Sequence, residues 1–178
     1  MKRLFEFATD TLDVLNLLQR HGNMTQLLII LYSAIDTMAW VGLPSGDITR
    51  KGFKDWVNHY LLPGTPLQCT ADDLYSARCG ILHSHTSESS DTSKGAARQI
   101  WYYGKEKSKK YIFDQIGNRT DVVAVRVVDL ILAFGDGAFR HIEDIAKDSE
   151  KSKIALERAT KWLGWISFES QDNDSINS

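Results

Sequence analysis

Cysteine is scarce in this chain: Cys69 and Cys79 are the only two among 178 residues. Two cannot build a disulfide scaffold, which points to a reducing, cytoplasmic setting. Net charge is scarce as well. A balance of −2 gives no global attraction to a polyanion or a membrane surface, so no DNA partner is expected, while room remains for a local patch. A long apolar run is also missing. The most apolar stretch, Met24 to Leu43, is broken by Gln26, Ser33, Asp36 and Thr37. A transmembrane helix needs about 20 predominantly apolar residues, so this stretch reads as a buried core helix and no membrane association is expected. Near the N-terminus Glu6, Asp10 and Asp13 stand where a signal peptide needs an apolar core. Neither a phosphate-binding glycine loop nor a G-x-S-x-G elbow occurs.

What is present suits one mainly helical domain over residues 1–168, with a disordered polar tail at 169–178. Phe5, Ala8, Leu12 and Leu15 recur at helical steps and predict a helix over 3–20, ended by His21-Gly22-Asn23. The next helix is apolar on all sides from Leu27 to Leu31, as expected of a central helix or one at a subunit interface. Phe53, Trp56, Val57, Tyr60 and Leu61 predict a third, stopped by Pro63-Gly64. Thr70 is a good N-cap for a fourth over about 71–85, with Asp72 and Asp73 near the positive end of its dipole. The Ser/Thr-rich residues 84–97 read as a loop. Gln99–Tyr103 and Val122–Val125 are rich in β-branched and aromatic residues and predict a two-stranded ribbon; the segment between them has no clear assignment. A stripe from Val128 to Ile145 predicts a long fifth helix. Within it, Gly135 and Gly137 call for a close helix contact or a local break. Ala155, Ala159, Trp162, Leu163 and Ile166 predict a sixth helix.

The chemistry concentrates at the end of the fourth helix, in Arg78-Cys79-Gly80-Ile81-Leu82-His83-Ser84-His85. An arginine brings a permanent charge and a forked set of donors suited to phosphate, and a histidine moves protons near neutral pH. Together they can cut RNA without a metal or other cofactor. The histidine serves the 2′-hydroxyl or the leaving oxygen, and the arginine stabilises the charged transition state. On an ideal helix His85 lies about 20° from Arg78 and His83 about 140° away, which favours His85 by angle. Asp36 is the expected countercharge for Arg78, because a carboxylate inside an apolar helix needs a partner. Other readings share these residues. Cys79 and His83, one turn apart, could form a thiolate–imidazolium pair, and Cys69, Cys79, His83 and His85 have zinc-ligand types without zinc-ligand spacing. A purely structural arginine is a third.

The R-x4-6-H spacing, met by both His83 and His85 in a mainly helical chain of this size, resembles the HEPN superfamily. The words LYSAIDTMAW, FKDWVNHYLLP and DLYSARCGILHSHTSES are similar to a group of uncharacterised bacterial proteins of that kind. The resemblance implies a HEPN-like bundle of about six helices that forms a homodimer, with Arg78 and His83 of two copies meeting across a cleft. It implies metal-independent RNA cleavage in a toxin–antitoxin or defence role, with an antitoxin protein as a further partner. It also ranks His83 above His85. Cys79 stands where active members carry a polar residue, and so keeps open a silent module that binds a nucleotide or a protein.

Residues 94–110 carry +5, from Lys94, Arg98, Lys105, Lys107, Lys109 and Lys110 against Glu106, with Trp101, Tyr102 and Tyr103 interleaved. Cations with aromatics suit single-stranded RNA through phosphate contacts and base stacking; a solvated lysine loop is the plainer alternative.

Overall fold

Eight α-helices and a two-stranded sheet make up the computed structural model, which describes residues 1–86, 88–104 and 106–161, with residues 106–108 described by their backbone alone. Helix α1 (Lys2–His21) ends in a left-handed Gly22 and turns directly into α2 (Met24–Val41). The all-round apolar pattern of α2 predicts a place at the centre or at a subunit interface, and within the chain the helix is central. It packs against α1, α3 (Arg50–Trp56), α4 (Ala71–Ser84), α7 (Val127–Lys147) and α8 (Ser149–Ala159), so its apolar surface is largely covered within one chain. By length and composition α2 could cross a membrane, but this wrapping gives the same composition a core role.

The third predicted helix divides. After α3, residues Val57–Leu61 form a wider π-helical turn, closed by a hydrogen bond from the Leu62 amide to the Val57 carbonyl at 2.9 Å. The Tyr60 carbonyl accepts instead from Arg140 on α7. Helix α7 can come this close because Gly137 has no side chain: a Cβ there would lie 2.8 Å from the Tyr60 oxygen. Gly135 likewise faces Leu12 of α1, so both glycines mark close contacts and α7 runs through them unbroken.

Strands β1 (Gln99–Tyr103) and β2 (Val122–Arg126) pair in parallel, with Gln99 opposite Val122 and Tyr103 opposite Arg126. Parallel strands need a crossover, which explains the unassigned stretch between them: it holds α6 (Glu106–Ile116). The lysine-rich words therefore begin a helix, where a loop was the plainer reading. The predicted loop 84–97 also contains a helical turn, α5 (Ser90–Ser93), because Ser89 caps it with its hydroxyl and Thr92 returns the bond to the Ser89 amide. Helix α8 covers the first part of the sixth predicted helix. Trp162, Leu163, Ile166 and the polar tail lie outside the described residues.

Candidate functional site

Helix α4 starts with a reciprocal cap. Thr70 accepts from the Asp73 amide at 3.2 Å, and Asp73 accepts from the Thr70 amide at 2.9 Å. Asp73 also takes the Arg98 backbone amide at 2.7 Å and two guanidinium bonds from the same residue. These contacts hold its carboxyl below the usual range against the opposing effect of burial. Arg98 is thereby a strut between α4 and β1 and leaves the set of cations open to RNA.

Two turns further on, Arg78 points at Asp36 of α2. Its Nε and a terminal nitrogen donate to the same oxygen, Asp36 Oδ2, at 2.9 and 2.6 Å. The side chains are only 19% and 15% exposed, which makes this a half-buried ion pair. Burial pushes the Asp36 carboxyl up, while the bonds from Arg78 and the nearby His83 pull it back. Arg78 meets the same opposition from burial, but its bonds to Asp36 outweigh it and hold the charge in place. The second oxygen, Asp36 Oδ1, is buried without a hydrogen-bond partner among the described residues.

The two histidines separate at the helix end. His83 occupies the last turn of α4, exposed, and near enough to Asp36 to stabilise its charge. His85 is the C-cap, with a left-handed φ of 54°, so its angle on an ideal helix no longer describes where it stands. The chain then folds back over Gly80, where a Cβ would meet the backbone oxygens of Glu88 and Thr86 at 2.5 and 2.6 Å. A bond of 2.6 Å between the Ser76 and Ser89 hydroxyls fastens this return.

Cys79 is half-buried, with its thiol against Tyr75 and Arg78. Burial pushes the Cys69 thiol up to about 12, with the Asp73 carboxylate adding to the effect, so it is a poor source of thiolate. Among the described residues no three His, Cys, Asp or Glu side chains are placed to share a metal ion.

The basic segment is more engaged than its sequence suggests. The Trp101 indole donates to Gln99 at 3.2 Å, and Arg119 covers its ring at 5.4 Å. Tyr102 is held by the Tyr32 hydroxyl at 2.6 Å. Lys109 and Lys110 are exposed on α6, while Lys105 and the Lys107 side chain lie outside the described residues.

A second polar centre, absent from the sequence reading, joins α3 to α7. The Trp56 indole N–H donates to His141 Nδ1 at 3.0 Å, across 85 positions of sequence. Its signal was a histidine on the buried stripe of α7, between Ala138 and Ile142, where a polar ring needs a partner. Burial lowers the His141 pKa to about 4, with Asp144 opposing and Lys151 and His59 reinforcing the effect.

Comparison of the chain with family models, curated proteins and solved structures gave no match.

Proposed function

We propose that this chain is a HEPN-like, metal-independent endoribonuclease acting as a homodimer. The observation that carries the reading is the double hydrogen bond from Arg78 to one oxygen of Asp36, beside an exposed His83. The pair fixes the guanidinium, with the Cys79 thiol as a further neighbour, and holds a fork of donors at one place, a geometry suited to gripping a phosphate. His83, at the open end of the helix, takes the proton of the 2′-hydroxyl. The 2′-oxygen then attacks phosphorus, the bond to the 5′-oxygen breaks, and that oxygen receives a proton. A second copy would complete a cleft around these groups. The motif histidine is His83 in this reading, with His85 adjacent to the substrate path.

The test is cleavage of single-stranded and structured RNA in EDTA. His83→Ala should slow it about 10²–10⁴-fold, the usual span for a lost proton-transfer group. Arg78→Ala should also abolish most cleavage in folded protein, while His85→Ala should cost less. Activity lost with EDTA, or untouched by Arg78→Ala and His83→Ala, would exclude this mechanism.

A second reading is a silent HEPN-like module that binds a nucleotide or a protein. It is favoured by Cys79 beside the arginine and by the neutralising carboxylate of Asp36. Wild-type protein that binds RNA or nucleotide without cutting would select it.

A further inference from the structure

Away from the end of α4, a cavity of about 540 Å³ opens between α2, the α3–π turn, α7 and α8. His141 stands in its wall, 5% exposed. Its Nδ1 accepts the Trp56 indole proton, so the neutral ring must carry its own proton on Nε2. No group among the described residues accepts from Nε2. Gly42 comes close to that nitrogen because it has no side chain: a Cβ there would stand 2.5 Å from it. The result is an N–H donor of fixed orientation at the cavity wall, with no hydrogen-bond acceptor of its own among the described residues.

The rim has the complementary charge. Lys151 of α8 and His59 lie near enough to His141 to disfavour its protonation, and neither has a carboxylate partner among the described residues. Asp55 pairs with Lys51, and Asp144 accepts from the Tyr60 hydroxyl at 3.3 Å and pairs with Lys147, its carboxylate still acting on His141 against Lys151 and His59. Trp56 and Tyr60 add aromatic surface to the lining, their ring centroids 5.9 Å apart. We propose that this cavity binds a small molecule with a flat apolar body and one oxyanion, the oxyanion accepting from His141 Nε2 and facing Lys151. The unpaired His141 N–H and the Lys151 ammonium select an anion, and the aromatic residues select its body. The site is separate from Arg78 and His83, so its test does not depend on RNA cleavage.

The experiment follows the Trp56 indole N–H by two-dimensional NMR during titration of the full chain with benzoate, phenyl phosphate and benzyl alcohol. At least one of the two anions should produce a saturable shift with a Kd of about 1 mM or lower. The better anion identifies the group as carboxylate or phosphate ester, and benzyl alcohol should produce no saturable shift at ten times that concentration. Lys151→Gln, on an exposed helical position, should weaken the anion about tenfold. Gly42→Ala presses a Cβ on the His141 ring at Nε2 and should abolish the anion's shift. Failure of both anions to shift the resonance, equal binding of benzyl alcohol, or unchanged affinity in Lys151→Gln would overturn the proposal.

Discussion

The end of α4 and the cavity at His141 solve opposite electrostatic problems. At α4 the charges are paired: Arg78 and Asp36 bind each other half-buried, and the histidines stand in solvent. At the cavity the histidine is buried and neutral, held by an indole, and the charges stay at the rim. The first arrangement keeps a cation at a fixed place near groups able to move protons. The second keeps a directional donor and excludes charge from the wall. A histidine therefore has no single meaning in this fold, and its role follows from what covers it.

The sharpest way to break the comparison is through pH. The His141 pKa falls from 6.5 to about 4 on folding. The unfolded chain therefore binds the proton first as pH drops. Stability from this group is full above pH 6.5 and declines by about 3 kcal/mol by the time pH reaches about 4. Urea unfolding at a series of pH values should show that slope. His141→Gln keeps an acceptor for Trp56 without titrating, and should flatten it. An equal slope in the variant would mean that His141 is not the buried neutral group.

The ion pair gives the next largest effect. Asp36→Ala leaves the Arg78 charge half-buried without its partner and should cost about 2 kcal/mol, less than a fully buried pair because water still reaches the guanidinium. Asp36→Leu with Arg78→Met should recover most of that loss. A stable Asp36→Ala protein would show that the pair contributes orientation without stability.

Gly80→Ala should have the smallest effect, about 1 kcal/mol net. The Cβ displaces the carbonyls of residues 86 and 88, while alanine recovers helix propensity. Chemical shifts of His83 and His85 should move while those around His141 stay fixed. Movement at both regions would mean that they are coupled through α4.

Local signals were legible in the sequence. Thr70 with Asp72 and Asp73 announced the start of α4, and the apolar stripe announced α7, while its two glycines left a close contact and a local break equally open. The Asp36–Arg78 pairing followed from the cost of an unpaired carboxylate in an apolar helix. Features set by distant contacts were not legible. The π-helical turn at Val57–Leu61 arises where Arg140 takes the Tyr60 carbonyl, and α6 arises because parallel strands need a crossover. The Trp56–His141 bond spans 85 positions, beyond any motif. His85 illustrates the reverse error: helical geometry favoured it until the helix proved to end one residue earlier.

The most direct test of the central claim, that Arg78 and His83 act together on an RNA phosphate, is the chemistry of the cut ends. Mass spectrometry of products from wild-type protein in EDTA should find 2′,3′-cyclic phosphate on one side and 5′-hydroxyl on the other, as attack by the neighbouring 2′-oxygen requires, and these products should vanish together in Arg78→Ala and His83→Ala. Products ending in 3′-hydroxyl and 5′-phosphate, or cyclic phosphate made equally well by both variants, would contradict it.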